Sequence, residues 1–211
     1  MTTEDRFARR TMLRAGVVIA VSSALAPVFS GAAQARQPEP VDPDLAAEKL
    51  AAVSTGTVST NGWPVEKGAD IGGAIWTRSI AGTGLAVALC IGDVQAVLGH
   101  VVRRYHYEVD TLQPGEVIGY RVPDTSAPSP EDNHSSGTAV DIRPGWCPAG
   151  SRGNLFPAQI AAIRAILDDC RGVVSWGGDR AVPDEAHFDI TVAPGDARLA
   201  ELAGVLRRWK Y

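Results

Sequence analysis

The chain has 211 residues, of which 45% are hydrophobic and 21% charged, with a mean hydropathy of -0.01. That is long enough for one domain with a proper core and short for two, and the composition excludes a disordered chain. A formal net charge of -4 gives a nucleic-acid partner no electrostatic support.

The N-terminus has the pattern of an export signal. Arg9-Arg10-Thr11-Met12-Leu13-Arg14 precedes an apolar run from Ala15 to about Phe29, and Ala33-Gln34-Ala35 offers small residues for cleavage. The paired arginines resemble a twin-arginine signal. The run is short, rich in Ala, Ser and Gly, and interrupted by Pro27, which argues against a stable membrane span. An uncleaved N-terminal anchor is the competing reading. Cleavage after residue 35 removes four Arg and two acids, Glu4 and Asp5, so the net charge falls by two from -4. The mature protein is expected to be exported, soluble and acidic, in the cell wall or extracellular space.

Residues 36–62 carry Pro38, Pro40 and Pro43 and then a Ser/Thr/Gly stretch, and they read as a flexible linker. The domain is expected over 63–211. Asp93 is a candidate N-cap, and Val94, Val97, Leu98, Val101 and Tyr105 follow at helical spacing. His100 and His106 fall on this helix as surface or partly buried residues. Arg103 and Arg104 belong on its exposed face. The Pro114-Gly115 turn introduces a strand over 116–122, and 121–133, rich in Pro, Ser and Asp, reads as a loop. A short strand is expected over 138–142. Pro157 suits the first position of a helix whose Ile160, Ile163, Ile166 and Leu167 form one apolar face. Strands follow over 172–176 and 186–191, the latter with His187 and Asp189 on one face and Phe188 and Ile190 on the other. Asp196 caps a last helix, with Leu199, Leu202, Leu206 and Trp209 spaced to pack inward. Helices and strands mix without strict alternation. The expected fold class is therefore α+β, a small, mostly antiparallel sheet with helices against it.

Three cysteines are present: Cys90, Cys147 and Cys170. Cys90 lies in the apolar run 85–91 and reads as a buried small hydrophobe. Cys147 and Cys170 are the favoured disulfide pair in an oxidising compartment, leaving Cys90 free, although spacing does not fix connectivity.

Two segments carry the chemistry: Asn133-His-Ser-Ser-Gly-Thr-Ala-Val-Asp141 and Asp184-Glu-Ala-His-Phe188. The chain has four His, and two of them lie here. Gly137 lets the backbone turn sharply, so that His134 on a loop and Asp141 on a strand can converge. His187 closes the site from a neighbouring strand. Two imidazoles and a carboxylate suit zinc, which in hydrolytic sites takes three protein ligands and keeps one position open. Asp184, three residues before His187, can reach a water at the metal without ligating it, and act as general acid and base. Glu185 is the competing base. Chance spacings of both kinds are common, and four surface polar residues are the plain alternative.

These residues resemble the zinc-dependent D-Ala-D-Ala carboxypeptidases and L-alanyl-D-glutamate endopeptidases of bacterial cell walls, a family that includes vancomycin-resistance-type carboxypeptidases and phage endolysins. The family pattern Ser-x-His-x-x-Gly-x-Ala-x-Asp is matched from His134 through Gly137 and Ala139 to Asp141. The downstream acid-x-x-His pattern is matched by Asp184 and His187. Trp176-Gly-Gly-Asp179 and Gly119-Tyr-Arg121 also look like the family, and the match runs from roughly Asp93 to the C-terminus. The resemblance implies a hedgehog-like zinc fold and one zinc ion held by His134, Asp141 and His187, with Asp184 as acid/base. It implies that Arg121 holds a substrate carbonyl or carboxylate through its planar, permanently charged fork. Trp176 is a candidate for lining the substrate cleft. Asp132 stands where the family has Ser, which places an extra carboxylate near the metal.

The function implied is an exported zinc peptidase, expected as a monomer, acting on peptidoglycan stem peptides. Whether it would be a carboxypeptidase or an endopeptidase stays open. A non-catalytic wall-peptide binder and a zinc hydrolase of a non-wall amide are the competing classes. A retained base at Asp184 argues against the binder.

Overall fold

A computed structural model describes residues 43–124 and 132–209. The expected signal over 1–35, the first part of the expected linker and most of the loop over 121–133 lie outside the described residues. All the described residues belong to one compact unit, and no helix among them is long and apolar enough to cross a membrane.

The chain begins with helix α1 (Pro43–Val53) and a hairpin of β1 (Ser54–Val58) and β2 (Pro64–Glu66). A second hairpin pairs β3 (Ile75–Ile80) with β4 (Leu85–Cys90). Helix α2 (Asp93–Glu108) leads to β5 (Val117–Ile118), a turn of 3-10 helix (Asn133–Ser136) and β6 (Ala139–Ile142). Helix α3 (Pro157–Asp169), β7 (Val174–Trp176), a second 3-10 turn (Gly177–Asp179), β8 (His187–Ile190) and α4 (Ala197–Arg208) complete the order. The main sheet runs β5-β6-β8-β7, antiparallel at every pairing. The chain is thus α+β with small antiparallel sheets, as the mixed pattern predicts.

Hydrophobic periodicity explains the helices. Val94, Val97, Leu98, Val101 and Tyr105 of α2 are all buried, as are Ile163 and Ile166 of α3 and Leu199, Leu202 and Leu206 of α4. Each such side chain contributes roughly 1.5–3 kcal/mol when fully removed from water. Pro157 opens α3, where its missing N–H costs nothing. Asp196 caps α4 by accepting from the Arg198 N–H at 2.9 Å. Asp93 does not cap α2; Gly92 holds the cap position and Asp93 is the first helical residue. Trp209 falls just past the end of α4.

On β8 the alternation separates two jobs. Phe188 packs between Tyr105 and Trp176, with ring centroids 6.3 and 6.4 Å away. His187 and Asp189 point to the opposite face, where the candidate site lies.

Several expectations need correcting. Residues 43–62 are not a plain linker, because α1 and β1 form there and Ser59 is buried. Asn61 explains why: its side-chain N–H₂ donates to Thr138 Oγ1 at 2.8 Å and to the Ile190 carbonyl at 2.9 Å. The turn after β1 is thereby fastened to Thr138, just before β6, and to β8. The strand expected over 116–122 shrinks to Val117–Ile118, because Tyr120 leaves the sheet to donate its N–H to the Ala88 carbonyl of β4 at 2.8 Å. All three cysteines are free and buried, so Cys147 and Cys170 are not paired; each packs as a small hydrophobe. His100 is fully packed rather than on the surface, beside Asp169 at 3.5 Å and against the Trp209 ring.

Candidate metal centre

Sheet register brings the expected ligands together. Asp141 on β6 lies directly across from His187 on β8. His134 sits in the 3-10 turn that feeds β6. Gly137 ends that turn with φ 66°, and a Cβ there would press on the Cys90 N–H and Ile75. Only glycine meets both demands without strain. Its carbonyl accepts from Cys90 N–H at 3.0 Å, so β4 fixes the turn from behind.

Asp132 has a structural task as well. Its side chain accepts from the His134 N–H at 3.0 Å and caps the 3-10 turn. Asp is a favoured N-cap residue, because its side-chain oxygen satisfies a free N–H of the turn. The added charge lies 3.9 Å from Arg121.

Three ligand atoms converge. His134 Nε2 lies 3.1 Å and His187 Nδ1 2.9 Å from the same oxygen, Asp141 Oδ1. The three atoms lie within 4.8 Å of one another, and all three residues are buried. The outer contacts fit a metal centre. His134 Nδ1 lies 2.5 Å from the Gly119 carbonyl, which can only accept. Nδ1 therefore carries a proton, which leaves Nε2 as the ring atom that faces the centre. His187 Nε2 faces Asp189 Oδ2 at 3.7 Å, leaving Nδ1 for the centre. This buried set of two imidazoles and one carboxylate can hold a metal ion.

The electrostatics record the same packing. Burial opposes charge on His187, but the hydrogen bond to Asp141 and the nearby Asp189 carboxylate outweigh it and raise its pKa to about 9. Burial also opposes ionisation of Asp141, yet His134 and His187 hold its carboxyl far below the usual carboxylate range. The Asp189 carboxyl is likewise lowered: the neighbouring His187 ring and the hydrogen bond from Ser175 overcome its burial. Asp189 Oδ2 also accepts from Asn133 at 2.8 Å and from Arg180 at 3.1 Å.

The Gly119-Tyr120-Arg121 stretch acquires a role at each position. Gly119 supplies the carbonyl for His134, and its backbone lies so close to the Ala88 carbonyl that any Cβ would collide. The Tyr120 hydroxyl donates to the Glu66 carbonyl at 2.8 Å. Arg121 pairs with the outer oxygen, Oδ2, of Asp141.

A cleft of about 410 Å³ opens over the centre, lined by Thr60, Arg121, Asp132, Asn133, Arg180, Asp184, His187 and Asp189. Asp184 is half-buried in its wall. Its backbone is fixed, with its N–H on the Gly177 carbonyl at 3.0 Å and its own carbonyl accepting from His187 N–H at 3.1 Å. No hydrogen bond or ion pair occupies its carboxylate among the described residues. Glu185 is the opposite case. It is 3% exposed, and its carboxylate accepts from Gly153 N–H at 2.8 Å and from Asn154 N–H and Nδ2 at 2.9 Å. It fastens a loop and does not face the cleft.

Trp176 does not line the cleft. It is 4% exposed, stacks on Phe188 and donates its indole N–H to the Glu185 carbonyl at 2.9 Å. A large ring on the core side of β7 gains more from burial than from a wet cleft. His106 accepts the Leu112 N–H at 3.0 Å, outside the centre.

Sequence reasoning passed over Asp189, Asn133, Asn61 and Arg180. Alternation places Asp189 beside His187, and that was the available signal for an outer partner of the ligand. No sequence signal tied Asn61 to the site, because its partners are 77 and 129 residues away.

Comparison of the chain with protein-family models, curated proteins and solved structures found no match.

Proposed function

We infer that the protein is an exported zinc metallopeptidase that hydrolyses peptide bonds in peptidoglycan stem peptides. One observation carries the reading: Asp184, whose carboxylate has no partner among the described residues, lines the same cleft as a buried His134–Asp141–His187 centre. Its neighbour Glu185, by contrast, is buried and spent on fastening a loop. The resemblance to the cell-wall peptidase family, with its hedgehog-like zinc fold, adds the substrate class. The N-terminal pattern adds export, since peptidoglycan lies outside the membrane.

His134, Asp141 and His187 would hold the ion, and nitrogen and oxygen donors in that number suit zinc. Bound zinc would supply Lewis acidity, making a water acidic and polarising the scissile carbonyl. The protein's own groups do the rest. Asp184 accepts the proton of the attacking water and returns it to the leaving nitrogen. Arg121 holds a substrate oxygen and, through Asp141 Oδ2, also fixes the ligand carboxylate. Gly119 and Asp189 orient the two imidazoles.

The test is incubation of the mature domain with zinc and defined muropeptides, with products identified by mass. Free D-Ala or a new D-Glu amino end is the expected product. Zinc binding without cleavage would replace this reading with a wall-peptide binder.

A further inference from the structure

We propose that Asn133 is a positioning residue that couples the metal centre to the β1–β2 turn, the part of the cleft lining that carries Thr60. This rests on the His134–Asp141–His187 centre holding zinc, and not on the cleavage of any peptide.

The Asn133 side chain is buried and bridges two parts of the chain. Its Nδ2 donates to Asp189 Oδ2 at 2.8 Å, and its Oδ1 accepts from the Asn61 N–H at 3.0 Å. These partners fix which end of the amide is which. A backbone N–H can only donate and a carboxylate can only accept, so a flipped amide would meet both with the wrong atom. Ser175 and Arg180 also donate to Asp189. Among the described residues, only Asn133 carries the bond onward to a second element.

Asp189 lies behind His187: Oδ2, the oxygen that Asn133 holds, is 3.7 Å from Nε2. A carboxylate behind a ligating imidazole sets the orientation of the ring and its strength as a donor. The Asn133 main chain is held as well, since its carbonyl accepts from the Thr138 N–H and from Ser136 Oγ, both at 3.0 Å. The turn is braced at the other end of the chain of bonds. Asn61 Nδ2 donates to Thr138 and to the Ile190 carbonyl, and its Oδ1 accepts from Ser59 Oγ at 2.6 Å. Thr60 stands between these two fixed neighbours and lines the cleft. A His187 ring fixed by an ion keeps Asp189 and Asn133 in one arrangement, and with them the turn. By linkage, the ordered turn favours the ion to the same extent.

Two measurements on the full protein test this: zinc affinity by competition with a chelating dye, and amide exchange over 59–63 with and without zinc. Asn133→Ala is expected to weaken zinc about 3–10-fold, less than loss of the direct partner Asp189. In an Asp189→Ala background the same change should cost nothing further, within about twofold. If Asn133 only shapes the 3-10 turn that carries His134, it will cost zinc affinity equally in both backgrounds, and the proposal fails. Saturating zinc should slow exchange of the Asn61 N–H in wild type by about threefold or more. It should not do so in Asp189→Ala, which leaves Asn133 in place and serves even if Asn133→Ala does not fold. An Asn61 N–H that ignores zinc in wild type, or responds equally in Asp189→Ala, overturns the coupling. Zinc bound without cleavage of muropeptides removes the peptidase reading and leaves this one standing, whereas a wild type that binds no zinc removes both.

Discussion

The floor and the wall of the cleft are built on different terms. The floor, made of His134, Asp141 and His187, is buried, and each polar atom facing inward meets a partner. A second layer holds the rings from outside through the Gly119 carbonyl and Asp189. The wall, made of Arg180 and Asp184, has a fixed backbone but side chains with spare hydrogen-bonding capacity. Rigid ligands with satisfied outer contacts are what an ion needs, since a loose ligand set binds weakly. Uncommitted groups at a wet cleft are what a substrate needs, because a group already bonded within the protein must break that bond to act. Neighbours in sequence show the contrast most sharply: among the described residues Glu185 has three donors and the Asp184 carboxylate has none.

Breaking the floor should cost the most. His187→Ala is expected to abolish binding of one zinc per chain, measured by calorimetry or metal content, with turnover lost in parallel. Chelation of the wild type should produce the same loss, reversed by adding zinc. Weakening the second layer should cost less. Asp189→Asn keeps the shape but removes the charge behind His187, and a drop of about 10–100-fold in zinc affinity is expected.

The locked carboxylate should report on stability and not on chemistry. Burial opposes the charge on Glu185, but the Gly153 and Asn154 donors outweigh it and hold its pKa below the ordinary 4.5. A depressed folded pKa contributes stability above the unfolded value, and that contribution is lost as pH falls through the folded value. Glu185→Gln should therefore cost about 1–3 kcal/mol in urea unfolding at pH 7, and the gap to wild type should close in acid. Turnover of the folded variant should be unchanged within a few-fold. Smallest of all should be Trp176→Phe on substrate affinity, because the ring lies in the core; a KM within about twofold of wild type is expected, with a modest loss of stability from the lost indole N–H.

What could be read from the sequence followed periodicity. The apolar faces of α2, α3 and α4 and the strands at β6 and β8 followed from spacing and turn residues, whereas the pairing of Asp141 with His187 was expected only from the metal-site reading. The N-terminal hairpins did not. Ser54-Thr-Gly-Thr-Val58 has no apolar alternation because most of β1 is exposed, so its Ser and Gly resembled a linker. Asn61 holds the site through contacts distant in sequence, which no local pattern encodes. Trp176 misled for the reverse reason: a Trp beside a Gly-Gly turn fits a cleft and a core equally well, and only the packing on Phe188 separates them.

The central claim is that the floor holds an ion while the wall does the proton transfer. Asp184→Asn tests it most directly, with zinc content and muropeptide cleavage measured on the same sample. The account predicts one zinc per chain, as in wild type, and a fall in turnover of about 10²–10⁴-fold. Cleavage at the wild-type rate, or loss of the zinc, would contradict it.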